Sequence, residues 1–191
     1  MKTAIREYPL LSLCGLNCGL CPRYYTDGTS KCPGCGGEAF CEKHPSCGVI
    51  SCAKRHEGIQ YCYLCNEYPC KKYYDSEKLV DSFITHQNQI KNFDQVKRIG
   101  LAAYQLELNE KVELLSYLLA NYNDGRRKNF FCLAVNLLDL HDVRNVIAQI
   151  ETECKPEYDV KEKSTIAIRL FQAMADKRNI MLKLKTNIWK S

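Results

Sequence analysis

Eleven of the thirteen cysteines fall between Cys14 and Cys70, nearly one residue in five of that stretch. No other feature constrains the fold so strongly, because a segment this rich in thiols must be organised by sulfur chemistry, either as disulfides or as metal ligands. The N-terminal stretch offers only the four residues Leu10 to Leu13, too short and too interrupted for the apolar centre of an export signal. The bulky Leu13 before Cys14 also departs from the small residue expected at a lipoprotein site. The longest apolar run, Phe130 to Val135, is far below the length of a membrane span. The expectation is a cytoplasmic protein, not membrane-embedded, whose clustered cysteines hold metal.

The spacings sharpen this. Cys14, Cys18 and Cys21 form C-x3-C-x2-C, Cys32 and Cys35 form C-P-G-C-G, Cys41, Cys47 and Cys52 follow, and Cys62, Cys65 and Cys70 form C-x2-C-x4-C. A C-x2-C turn points two sulfurs the same way and supplies half a tetrahedral site, while amides of the turn hydrogen-bond the thiolates. The residue after such a pair often takes positive φ, for which Gly36 and Asn66 are suited. Eleven thiolates plus one histidine, His44 or His56, make twelve ligands, so two or three ions are expected. Zinc is the first expectation and a [4Fe-4S] cluster the alternative, since thiolate sets bind either. Eleven thiolates with three divalent ions would cancel the formal charge of +5. Lys31, Lys43, Lys54, Lys71 and Lys72 then compensate anionic centres locally rather than form a nucleic-acid surface. C-x3-C-x2-C is also the spacing of a radical S-adenosylmethionine cluster, with Gly36-Gly37-Glu38 resembling that superfamily's glycine-rich element. The rest of the chain lacks the alternating strands and helices of that fold.

Composition shifts near residue 74. Residues 1–74 hold most of the ten glycines and five of the six prolines without a sustained apolar period, so this part is not expected to build a hydrophobic core. Residues 75–191 read as helical, with apolar sets such as Val143, Val146, Ile147 and Ile150, or Ala167, Leu170, Phe171 and Met174, at helical spacing. Helix starts are predicted at Asp75, at Asn92 with Gln95, at Asn109, at Asp139, and at Asp159 with Glu162 in a capping box. The predicted architecture is a small, irregular, metal-stapled cysteine-rich domain over 1–74 and an all-α bundle of five or six helices over 75–191. Ile180 to Lys185 alternates and reads as a short strand or a frayed end.

The ordered motifs C-G-L-N-C-G-L-C-P-R-Y from Cys14 to Tyr24, C-P-G-C from Cys32, C-G-V-I-S-C-A from Cys47 and C-Y-L-C-N-E-Y-P-C from Cys62 resemble those of domain-of-unknown-function family 3795. These are small cysteine-rich proteins of bacteria and archaea taken to bind zinc, and the resemblance covers residues 12 to about 74. It implies a metal-binding module at Cys14, Cys18, Cys21, Cys32, Cys35, Cys47, Cys52, Cys62, Cys65 and Cys70, with Cys41 as a further member, and it implies no reaction.

Other residues read more plainly. Arg126, Arg127 and Lys128 follow an Asn-Asp-Gly turn at a predicted helix start, as a solvated basic turn or an anion contact. Tyrosines at 24, 25, 61, 63, 68, 73 and 74 are expected to cover metal sites rather than stack bases. Cys132 reads as a buried small hydrophobe, Cys154 as an exposed thiol near a helix end, and His86 and His141 as non-ligand histidines on helical segments. The basic tail from Lys177, with Trp189, reads as a docking stretch or a solvated end. The function expected is that of a zinc-binding adaptor for a protein partner, without catalysis; the alternative is an iron-sulfur protein with a redox or cofactor-dependent role.

Overall fold

The computed structural model describes residues 5–44, 46–74 and 80–185. The described residues form eight α-helices and three short 3-10 turns, with one isolated antiparallel bridge, Leu11 to Asn17, in place of any strand. In chain order the helices are α1 (Phe40–Lys43), α2 (Gly48–Arg55), α3 (Lys71–Tyr74), α4 (Gln89–Ile99), α5 (Leu101–Asn121), α6 (Lys128–Leu137), α7 (Leu140–Glu153) and α8 (Val160–Lys177). No helix among the described residues is long and apolar enough to cross a membrane. The chain divides into two compact units, Met1–Gln105 with Leu184–Ser191, and Leu106–Lys183.

In the first unit the cysteine-bearing stretch is irregular because its knuckles are tight turns. Cys18–Leu20 and Cys62–Leu64 are single 3-10 turns closed by the amide of the second cysteine on the carbonyl of the first, Cys21 to Cys18 at 3.1 Å and Cys65 to Cys62 at 3.0 Å. The Cys32/Cys35 pair differs. Gly34 takes φ +86°, and the Cys35 amide donates to the Pro9 carbonyl at 2.9 Å. Gly36 has positive φ as expected, whereas Asn66 does not, because its turn is completed by the Tyr68 amide bonding the Cys65 carbonyl.

The expectation that this stretch builds no apolar interior needs correction. Leu11, Leu13, Leu20, Phe40, Tyr61 and Tyr73 are all buried. The stretch does so partly by borrowing Phe93 from α4, around whose ring Tyr61, Tyr63 and Tyr68 stand with centroids at 6.3, 5.0 and 5.7 Å. Asn92, expected to cap a helix, lies one turn inside α4. Its buried side-chain amide donates to the Gly15 carbonyl at 2.7 Å, so the cysteine loop and α4 are hydrogen-bonded through the interior.

α5 runs unbroken through Asn109, which therefore starts no helix; the break falls earlier, at Gly100 with φ +87°. His86 lies in the loop before α4 rather than on a helix. Asp75 and Trp189 lie outside the described residues.

In the second unit α8 packs on α7 and α6. The predicted faces are the buried ones: Val143, Val146, Ile147 and Ile150 on α7, and Ala167, Leu170 and Phe171 on α8, with Met174 half-buried. Phe131 of α6 meets Phe171 edge-on at 6.1 Å. Asp139 stands at the α7 N-terminus, and Asp159 with Glu162 makes the full capping box of α8. From residue 80 onward the described residues contain five helices, within the expected number. Residues 180–185 are irregular, pinned where Lys185 exchanges hydrogen bonds with Asp81 inside the first unit.

Candidate functional site

No disulfide joins any of the thirteen cysteines. Within the first unit the predicted ligands fall into two sets joined by Cys14, whose charge reaches Cys18 and Cys35 as well as Cys62. Cys18 and Cys21, on one knuckle, and Cys32 and Cys35, on the other, form the first. Their charges interact across the knuckles, Cys18 with Cys35 and Cys21 with Cys32. Burial pushes the Cys18 thiol well above its ordinary pKa and raises Cys21 and Cys35 too, and the neighbouring sulfurs add to the rise. Backbone groups oppose it, those of Arg23 and Tyr24 at Cys21 and that of Leu13 at Cys35, as does the Arg6 guanidinium near Cys35.

The second group lines a cavity. Cys14, Cys52, Cys62, Cys65, Cys70 and His56 share its wall with the apolar Val49, Ala53 and Ile59. Cys14 arrives on the loop before the first knuckle, Cys52 and His56 at the end of α2, Cys62 and Cys65 on the second knuckle, and Cys70 just before α3. Burial raises Cys14, and raises Cys62 to about 11, where Cys14, Cys52 and Cys70 add repulsion. His56 Nδ1 lies 3.9 Å from the Cys65 sulfur, so of the two candidate histidine ligands His56 is beside the thiols. His44 instead stacks on the Phe40 ring at 4.5 Å.

Hydrogen-bond donors converge on these sulfurs. The Ser12 hydroxyl is 3.1 Å from the Cys14 sulfur and accepts the Leu16 amide at 2.7 Å, so its proton is available to the sulfur. Gln89 hydrogen-bonds Cys14 as well. The Tyr73 hydroxyl donates to the Cys14 carbonyl at 3.1 Å and is within hydrogen-bond reach of Cys62. Tyr73 is one of the tyrosines expected to cover the cysteine sites, whereas Ser12 and Gln89 were not legible as site residues: Ser12 precedes the first cysteine without a recognisable motif, and Gln89 comes from a helix remote in sequence.

Cys41 is exposed on α1, and Cys47, at the N-terminus of α2, reaches Cys14 and Cys35 electrostatically. Among the described residues no three or more His, Cys, Asp or Glu side chains converge so as to hold a metal ion. The donor chemistry nevertheless fits one: buried neutral thiols are costly to ionise, a bound cation reverses that cost, and surrounding N–H and O–H groups stabilise thiolate.

The remaining candidates resolve more simply. The backbone amides of Arg126 and Arg127 are taken by Asp124 and Asn123 at 2.9 and 3.0 Å, and the Arg127 guanidinium pairs with Asp124 at 3.7 Å. Cys132 is buried as expected, whereas Cys154 is half-buried rather than exposed, and desolvation raises its thiol. His141 lies on α7 and hydrogen-bonds Asn145 at 3.0 Å.

No curated protein and no solved structure matches the chain at a significant level. Residues 10–75 match the model of the family described as protein of unknown function (DUF3795), the family that the cysteine motifs resemble.

Proposed function

We propose that residues 10–74 are a metal-dependent module in which zinc held by cysteine thiolates fixes a recognition surface for a protein partner, in a reducing compartment such as the cytoplasm and without catalysis. The observation that supports it is the first cysteine group. Two C-x2-C turns place Cys18 within electrostatic reach of Cys35, and Cys21 within reach of Cys32, in buried surroundings. Zinc there contributes folding energy directly, and two or three ions satisfy the whole thiol set. Nothing in the second unit requires metal, since its apolar faces close on one another.

The test is metal analysis of the purified full chain, with the same preparation after a strong chelator. The expected result is at least one tightly held zinc per chain, and faster proteolysis within residues 10–74 on chelation. Cys32→Ser and Cys65→Ser each release metal from their own group. Full metal content and unchanged protease resistance in both variants would defeat the ligand assignment. Affinity for nucleic acid that falls steeply with salt would instead identify a nucleic-acid partner.

A further inference from the structure

The second unit holds a cavity of its own, far along the chain from the cysteine knuckles. Asn121 at the end of α5, Glu151 and Cys154 at the end of α7, Lys155 in the loop that follows, and Lys163 early in α8 all line it. Its volume, as room for the centres of water-sized atoms, is about 220 Å³. A water needs roughly 10–15 Å³ of such space, so about 15 to 22 atoms of that size fit.

The charged groups around it are not paired with one another. Among the described residues neither Lys155, Lys163 nor Glu151 enters an ion pair. Lys163 is half-buried and electrostatically close to the Cys154 sulfur, and Lys155 lies over the Tyr158 ring at 5.9 Å. Glu151 is fixed from behind. The Tyr117 hydroxyl donates to its Oε1 at 2.8 Å, and the hydroxyl of the buried Tyr122, another wall residue, stands 3.4 Å from that of Tyr117. Two cations and one carboxylate therefore border the same space without neutralising each other.

The helix ends decide which ligand chemistry suits these charges. α5 and α7 bring their carbonyl ends, which are negative poles, to the cavity. The N-terminus of α8, the pole that favours phosphate, is already filled: Asp159 accepts the amides of Lys161 and Glu162, each at 2.8 Å. A compact phosphate would meet Glu151 and both carbonyl ends at close range. Separate carboxylates can instead reach one lysine each, and an ammonium on the same molecule answers Glu151 and the carbonyl ends.

We infer that this cavity binds an amino acid with an acidic side chain, its two carboxylates on Lys155 and Lys163 and its ammonium on Glu151. The site lies wholly within the second unit and does not depend on the metal reading.

The experiment is equilibrium dialysis of the full chain at low salt against L-glutamate and L-aspartate, with glutarate, L-glutamine and inorganic phosphate as comparisons. Alkylation of Cys154, followed on its own peptide by mass spectrometry, reports occupancy a second way because its sulfur lines the cavity. One of the two acidic amino acids is expected to bind with a dissociation constant of about 1 mM or tighter and to slow that alkylation. Glutarate, which lacks the ammonium, and glutamine, which lacks the second carboxylate, are expected to bind about 10-fold more weakly or worse. Lys163→Gln is expected to weaken binding by about 10-fold, Lys163→Arg by no more than about 3-fold, and Lys128→Gln, outside the cavity, not at all. Neither acid bound at about 10 mM, or glutarate or phosphate bound equally well, overturns the inference and leaves the metal module standing. A loss in Lys128→Gln as large as in Lys163→Gln would mean diffuse charge attraction and overturns it too.

Discussion

Gly15 shows how little freedom a single position has in the cysteine loop. It takes φ +87°, and a Cβ there would sit 2.6 Å from the Gln89 carbonyl and 3.0 Å from the Phe93 ring. The backbone conformation and the close approach both demand glycine. Gly15→Ala is expected to cost about 2 kcal/mol or more in urea unfolding, and to lower metal content because Cys14 and Cys18 flank it. Asn92→Ala leaves the buried Gly15 carbonyl without its 2.7 Å partner and is expected to cost about 1–3 kcal/mol by the same measurement. Asn92 is also where a local reading failed for a physical reason. An asparagine with a glutamine three residues on has the form of a helix start, and only the folded loop supplies the carbonyl that recruits it inward. The cysteine spacings were legible because a C-x2-C turn is a local geometry. The partition into two groups was not, since it depends on which turns face each other. Ser12→Ala, which removes a hydroxyl 3.1 Å from the Cys14 sulfur, is expected to weaken metal retention at the second group by about 10-fold or more in a chelator competition.

Among the elements, α7 and α8 carry the clearest electrostatic tie. Arg178, just past α8, donates to both carboxylate oxygens of the buried Asp142 at 2.7 and 2.6 Å, and this holds the Asp142 carboxyl below its usual range. A depressed folded pKa stabilises the folded state at pH values above the ordinary carboxylate range, near 4, and that contribution is lost as pH falls through the folded value. Asp142→Asn is therefore expected to lower the thermal midpoint at neutral pH by a few degrees and to flatten its fall below about pH 4. A variant whose acid profile matches the parent's would show that the tie is energetically idle. The α8 capping box was readable from the sequence and is present in full, with Asp159 accepting the Glu162 amide at 2.8 Å and Glu162 accepting the Asp159 amide at 2.8 Å. Asp159→Ala is expected to cost about 1 kcal/mol in thermal or urea unfolding. Capping boxes and apolar stripes are properties of one helix, so they survive reading in isolation. Helix boundaries at Asn92 and Asn109 did not, because continuous good helix formers let α5 pass through its internal asparagine.

For the molecule as a whole, the buried thiols make stability depend on metal and pH together. In the metal-free chain the folded state keeps Cys14, Cys18, Cys21, Cys35 and Cys62 protonated above their ordinary value, Cys62 to about 11. A raised folded pKa gives stability that is complete below the unfolded thiol value, near 8.5, and is lost as pH rises through the folded values. Chelated protein is thus expected to destabilise progressively between about pH 8.5 and 11, whereas metal-loaded protein holds its midpoint over that interval because coordination has already removed the protons. Urea midpoints across that range, with and without chelator, check both halves.

Because Asp81 exchanges backbone and side-chain hydrogen bonds with Lys185, at 2.9 and 2.7 Å, and the first unit takes back Leu184 and Lys185, the second unit is an insertion within the first along the chain. During synthesis the helices α6 to α8 leave the ribosome before the strap that completes the amino-terminal unit, so the thiol-bearing half is finished last although it is made first. Cutting the chain after residue 183 therefore damages the end it does not touch.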